Sequence, residues 1–337
     1  MRHCFYNQTF SVFLIGCIIL FGMILGACDH IDLDYPTGGA APVKVKVAFH
    51  WDDDPDASPD GMVVYFFRLD TKGSRATKAA PATFEFKGRD GGGLLLVPGR
   101  YAAICHNNDS DRHGYVGYNE YSDFGLRLTN LRDGEGFNFR SADASGFGEE
   151  RFATSPDAIW ISSMETVEIR EAPGGEVQVV DFDMQSVINT YTFIIHNPIN
   201  FSNSMSIKAA VSGMAGTIHP GLRLTGEETV THTFSMAPLA GGGLIGRLLT
   251  FGHCARSPIG SRNGSINVAD HHLVVSAVMP DGKSWYSAHN VTEQIHQSKI
   301  ADVVVELDSV VFPKPVEEDG WLPTIVDWEG KTEFVGM

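Results

Sequence analysis

The residues that could do chemistry in this chain are few and scattered. His253 stands beside Cys254, the base-and-thiol pairing that nucleophilic catalysis uses when the two meet in space. Neighbours in sequence rarely meet that way, and Cys254 reads equally as a small buried hydrophobe. His271 and His272 open an apolar run; on a strand their rings face opposite sides and do not share a metal. His106 and His113 bracket a polar stretch, where two loop imidazoles either share an ion or are simply solvated. The segment 52–61 (DDDPDASPDG) holds five aspartates. Calcium takes several carboxylate oxygens, but this spacing is not that of an EF-hand, and Asp, Pro and Gly are also ordinary turn residues. Ser257-Pro-Ile-Gly-Ser261 and Ser145-Gly-Phe-Gly148 lack the spacing and helix of a nucleophile elbow. No HExxH or CxxC occurs. A glycosidase's carboxylate pair is set by the fold, so the 41 acidic residues name no candidate pair. The expectation is a chain with no catalytic residues, no cofactor and no metal.

One cysteine has a different chemistry in view. Leu25-Gly26-Ala27-Cys28 ends the apolar run 9–27, behind a weakly basic start at Arg2 and His3. That order is how a signal segment is read, and the four residues resemble a bacterial lipobox, cut before Cys28 so that its thiol carries the lipid. About 20 apolar residues also suit an uncleaved transmembrane anchor. The Gly-Ala-Cys ending, the acidic flank and the lack of a Lys/Arg cluster favour the lipoprotein. Firm anchoring needs more than one acyl chain. Asp29, Asp32 and Asp34 resemble the surface-export signal of Bacteroidota lipoproteins. The expected location is the outer membrane, lipid-anchored and facing the exterior.

The elements behind these residues read as strands. A chain of 337 residues exceeds what a single core usually supports, which suggests two domains. Its net charge of −16 opposes binding to nucleic acid. Cys105 and Cys254 form either a disulfide in an oxidising envelope or two buried free thiols. Residues 28–42 are the acylated cysteine and its tether, rich in Gly and Pro at 37–42. Strict alternation over 43–51 predicts a half-buried strand with Val43, Val45 and Val47 on its apolar face. The run 62–69 is apolar enough for the middle of a sheet. Further strands are predicted at 83–87, 94–97, 102–106, 166–170 and 176–182, then from 189 to 308, with only 290–297 helix-like. Both halves end on a Val-rich strand flanked by acids, a faint echo of duplication. The division expected is a signal peptide 1–27, a tether 28–42, β-sandwiches 43–184 and 185–312, and an apolar tail 313–337. Residues 107–150 read as a long polar segment and an exposed recognition surface. There Tyr115, Tyr118, Tyr121 and Phe124 either stack on sugars or fill ordinary rim and core positions.

The lipobox, the segment Val211-Ser-Gly-Met-Ala215, the strand 302–308 and the tail piece Val326-Asp-Trp-Glu329 together resemble uncharacterised Bacteroides-type lipoproteins of the fimbrillin superfamily, which includes fimbrial anchor and accessory proteins. The resemblance implies an all-β fold of two tandem transthyretin-like β-sandwiches and assembly by strand exchange, in which one subunit's strand completes a neighbour's sheet. It implies Val43, Val45, Val47, Ile325, Val326 and Phe334 as residues that meet a partner strand. No protease-processing site stands before a removable first strand, which resembles the anchor or accessory role more than a polymerising stalk. The implied function is a non-catalytic surface subunit (anchor, tip or accessory) whose partners are the membrane and other fimbrial subunits. The alternative is a lipoprotein that binds a surface glycan.

Overall fold

The computed structural model describes residues 40–69, 79–131, 150–203, 205–254, 270–279, 282, 284–297 and 302–314. The alternating sequence of β1 (Val43–His50) buries Val45, Val47 and Phe49 and turns Lys44 and Lys46 to solvent. β1 is the middle strand of a three-stranded sheet. β10 (Gln178–Asp183) runs parallel along one edge and β4 (Gly92–Leu96) antiparallel along the other. Opposite lies a five-stranded sheet in the order β11 (Gln185–Ser186), β9 (Trp160–Ile169), β5 (Gly99–Asn107), β2 (Gly61–Arg68) and β3 (Ala82–Lys87). Val45, Val47, Phe49, Met62, Val64 and Phe66 share the core between the two sheets. Every residue from Met62 to Phe67 is buried, because the other face of β2, carrying Val63, Tyr65 and Phe67, is covered too.

The second set comprises β12 (Asn189–Ile199), β13 (Ser206–Ala215), β16 (Thr229–Pro238), β17 (Leu244–Thr250), β18 (His272–Val278), β19 (Ser284–Asn290) and β20 (Asp302–Val311). Their order is β19-β18-β13-β16-β17-β12-β20. β16 passes the sheet from one layer to the other, pairing first with β13 and then, through Met236–Pro238, with β17. Phe193 of β12 and Phe234 of β16 stack across the layers at 4.7 Å.

The two sets have the same connectivity. In the first, β1 lies between β10 and β4, and β2 lies between β3 and β5, with β9 beyond. In the second, β12 lies between β20 and β17, and β13 lies between β16 and β18, with β19 beyond. Each opening strand pairs parallel with the closing strand of its own set. The two Val-rich strands noted in the sequence are therefore topological counterparts, and the fold is all-β with two transthyretin-like sandwiches in tandem.

Insertions build what lies between the sandwiches. β6 (His113–Val116), β7 (Gly125–Leu128) and β8 (Arg151–Ala153) interrupt the first set, and β14 (Thr217–His219) and β15 (Leu224–Thr225) the second. They combine as a four-stranded sheet β15-β14-β7-β6, while β8 pairs parallel with β16. Phe124, Leu126 and Leu128 join one apolar cluster with Tyr65, Phe67 and the second sandwich. The described part of 107–150 is thus in part the exposed polar stretch the sequence suggested: most of 108–123 is exposed, while His113, Phe124, Leu126 and Leu128 are buried. Its Asp, Asn and Gly residues make turns around two short strands: β7 buries Leu126 and Leu128, while Tyr115 of β6 stays exposed. Among the described residues one helix occurs, α1 (Thr292–Gln297), capped where Asn290 Oδ1 accepts the Thr292 amide at 3.0 Å.

Candidate functional site

The expected tyrosines divide into two groups. Asn107, at the end of β5, turns the chain into the first insertion: its Nδ2 donates to Asp109 Oδ1 (2.6 Å) and to the Ala158 carbonyl (3.0 Å), while its Oδ1 accepts the Trp160 amide (2.8 Å). β6 and β7 then form a hairpin. Gly117 closes it at φ +59, where a Cβ would lie 2.1 Å from the Asp123 carbonyl oxygen. This places Tyr115 and Tyr118 side by side, 44% and 39% exposed, with ring centroids 6.3 Å apart. Buried Tyr65 supports both, at 6.2 and 5.7 Å, and Phe124 lies 4.8 Å from Tyr65. The Tyr118 hydroxyl and Thr83 Oγ1 share a hydrogen bond of 3.1 Å. Burial and the hydrogen bond to Tyr115 push the Tyr65 phenol far up, so it stays neutral. Two aromatic faces are thereby held in fixed directions at the surface, the arrangement that stacks on the apolar face of a sugar ring. Tyr121 does not join them. It is half-buried against Phe67 at 5.9 Å, and Phe124 is fully buried; both serve as packing.

The histidines of this region are not loop residues. His106 is a buried member of β5, and His113 is buried on β6, their rings 5.8 Å apart. Desolvation pushes His106 down to about 4 and lowers His113 as well, so neither carries charge at neutral pH.

The other candidates also resolve. Cys105 and Cys254 are free and buried, so the disulfide alternative falls. Burial pushes the Cys105 thiol well up and Cys254 up to about 11. The Cys254 thiol points at the carbonyls of Gly226 (3.3 Å) and Glu228 (3.5 Å), while His253 Nδ1 meets the Tyr191 hydroxyl at 2.9 Å. The adjacent pair is therefore no thiol–base couple. In the aspartate segment, Asp54 accepts the Trp160 indole N–H at 2.8 Å and Asp53 the Gln185 amide at 3.2 Å. These carboxylates brace neighbouring strands.

For strand exchange, the position of β1 is decisive. Both of its edges are filled by its own chain, and Val45 and Val47 are fully buried, while Val43 is half-buried against the same core. The expected opening for a partner strand is absent there. Gly91 seals the turn into β4, for at φ +80 a Cβ would lie 2.3 Å from the Val47 carbonyl oxygen. Leu25, Gly26, Ala27, Cys28, Ile325, Val326 and Phe334 lie outside the described residues.

Sequence reasoning missed Tyr65 and Thr83, which fix the exposed tyrosines, because they come from strands far away in the chain. It also missed the ion triad in which Glu228 accepts from Arg127 Nε (2.9 Å) and Arg151 Nε (2.8 Å). That triad joins β7, β8 and the entry to β16.

This tandem arrangement defines an all-β protein of two transthyretin-like sandwiches carrying a braced aromatic surface. The chain belongs to the family described as Domain of unknown function (DUF5119), which it matches over residues 27–235. Among solved structures, it is similar to an adhesin candidate from Bacteroides ovatus (TM-score 0.59, 16% identity, covering 82% of this chain and 94% of that one). The fimbrial anchor protein Mfa2 from Porphyromonas gingivalis aligns with a TM-score of 0.45 at 16% identity, covering 79% of this chain and 90% of that one. A cell adhesion candidate from Bacteroides eggerthii aligns at 0.44 and 15%, covering 83% and 93%. No curated protein matches the sequence.

Proposed function

We propose that this chain is a non-catalytic surface lipoprotein, anchored in the outer membrane through Cys28, that serves as an anchor, tip or accessory subunit of a fimbria. The observation that carries the reading is the duplicated sandwich whose opening strand stays in its own sheet. The shared fold with the Bacteroides ovatus adhesin candidate supports it, as do the buried, inert thiols. Strand exchange at β1 would have to expel Val45, Val47 and Phe49 from a closed core. A subunit that keeps this strand ends a polymer or decorates it, and its other contacts fall to remaining sheet edges and to the tail with Ile325, Val326 and Phe334.

Lys44 and Leu95 are exposed and directly opposed across β1 and β4, so the double variant Lys44→Cys/Leu95→Cys ties β1 in place. Co-purification from cell envelopes should recover the same fimbrial subunits with the tied chain as with the wild type. Loss of those partners on tying would show that β1 must leave. A wild type that brings down no such subunit would end the fimbrial reading.

Glycan binding is the second reading, favoured by the fixed exposure of Tyr115 and Tyr118. A neutral sugar suits an acidic chain. Tyr115→Ala/Tyr118→Ala should abolish retention on a glycan array that holds the wild type, and equal retention would dismiss it.

A further inference from the structure

The two layers of the first sandwich are covered differently on their outer sides. Val63, Tyr65 and Phe67, on the outer side of β2, lie in the core beneath the insertions. The outer side of the three-stranded sheet meets solvent instead. Alternation along β1 buries Val45 and Val47 and exposes Lys44 and Lys46. The register sets Lys44 opposite Leu95 of β4 and Lys46 opposite Val179 of β10. Leu95 and Val179 are 53% and 49% exposed, and Val177, just before β10, is 53% exposed. Aliphatic side chains gathered around two lysines depart from the polar pattern of a solvated sheet face. Such a patch points to an interaction surface.

At the far end of the same face the charge changes sign. There Ala48 stands opposite Asp181 and His50 opposite Asp183, and His50 Nε2 meets Asp181 Oδ1 at 2.9 Å. Exposed Glu171 and Glu176, on the turn into β10, bound the patch on the near side. Among the described residues neither Lys44 nor Lys46 has an ion-pair partner, although the chain holds 41 acidic residues against 25 Lys and Arg. The free cations and the aliphatic side chains are thus gathered where the chain enters β1. In sequence, that is the end next to Cys28. The number of residues between Cys28 and Val43 is 14, and a chain of that length reaches roughly 50 Å at most. A face held so close meets the bilayer as an intramolecular partner, so a patch too small to bind membranes alone becomes effective.

We propose that this face docks on the anionic lipid surface that holds Cys28. Leu95, Val177 and Val179 enter the headgroup layer, while Lys44 and Lys46 lay their apolar stems along it and reach the lipid phosphates. The inference rests on the acylation of Cys28 and adds an orientation to it. The first sandwich lies with the β1 sheet on the membrane, and the inserted sheet on its opposite side, with Tyr115 and Tyr118, is turned away.

The test uses the full-length chain, purified from membranes in detergent and returned to vesicles of phosphatidylcholine and phosphatidylglycerol, with the acyl group on Cys28 checked by mass spectrometry. Cys105 and Cys254 are buried, so an environment-sensitive fluorophore can be placed at Val179→Cys or, on the inserted sheet, at Leu224→Cys. Nitroxide-bearing lipid should quench the Val179→Cys probe at least about threefold more than the Leu224→Cys probe. Lys44→Glu/Lys46→Glu should weaken the contact by at least about twentyfold, at roughly fivefold for each lysine lost, and remove most of that quenching without releasing the acylated chain. An acylated chain whose Val179→Cys probe stays in water overturns the inference alone. So does a probe shielded from water yet unquenched by the nitroxide lipid, which would mean that a second copy or another protein covers the face. Quenching that the double variant leaves unchanged also overturns it. A chain without the acyl group overturns the anchor reading and this inference with it.

Discussion

Replacing Glu228 by Gln probes how the insertions are fastened to the second sandwich. The Glu228 carboxylate accepts hydrogen bonds from both Arg127 and Arg151, which hold its pKa down to about 2. Converted at about 1.4 kcal/mol per unit, a displacement of that size corresponds to about 3 kcal/mol. The side chain is 32% exposed, and solvent screening reduces the expected value to about 1–2 kcal/mol. Its sign follows from linkage. A carboxylate whose pKa is lower in the folded chain stabilises it fully above the unfolded value, near 4.3, and loses that contribution as pH falls toward 2. In urea unfolding at pH 7, E228Q should therefore be less stable than wild type by about 1–2 kcal/mol, with a thermal midpoint lower by about 2–3 °C. The gap should close progressively between about pH 4.5 and 2. A gap that stays constant over this range, or none at pH 7, would refute the role given to the triad.

Gly91→Ala forces a Cβ against the Val47 carbonyl at positive φ; it should cost more than about 1 kcal/mol and loosen β1, read as faster amide exchange at Val45 and Val47. Iodoacetamide at pH 8 should leave Cys105 and Cys254 unmodified in the folded chain and alkylate both in denaturant, because burial raises both thiol pKa values. His106, His232 and His271 are each pushed down to about 4 by burial. The unfolded chain therefore takes up more protons between about pH 6.5 and 4, and the urea midpoint should fall across that window. A midpoint flat from pH 7 to 4 would contradict this.

Much of the fold was legible because strands announce themselves by period. The alternation of 43–50 gave the face of β1 correctly, and the unbroken apolar run of β2 marked a strand covered on both sides. The faint likeness between the two Val-rich closing strands reflected a real equivalence of topology, since each pairs parallel with the opening strand of its set. The four-stranded inserted sheet was not legible. Its strands are two to four residues long and come from insertions remote in sequence, so no periodic signal could build up. For the same reason Phe124 looked like an exposed loop aromatic, although it is fully buried. The segment 211–215 carried the resemblance without revealing its cause. Gly213 sits in a break of register between Val211 and Met214, where its amide donates to Glu150 Oε2 at 3.0 Å and its missing side chain admits His271. Of the three tyrosines the sequence singled out, Tyr115 and Tyr118 face solvent; sequence spacing could not separate Tyr121, whose ring turns onto Phe67.

The claim that organises this account is that Cys28 carries lipid and holds the sandwiches outside the cell. Cells expressing the wild type or Cys28→Ala should be fed an alkyne fatty acid, and the intact cells then treated with a protease. The account predicts acyl label on the wild-type chain only, with its sandwiches cleaved from outside, and release of the Cys28→Ala chain from the membrane. An unlabelled wild type, a protected wild type, or a Cys28→Ala chain that stays in the membrane would contradict it.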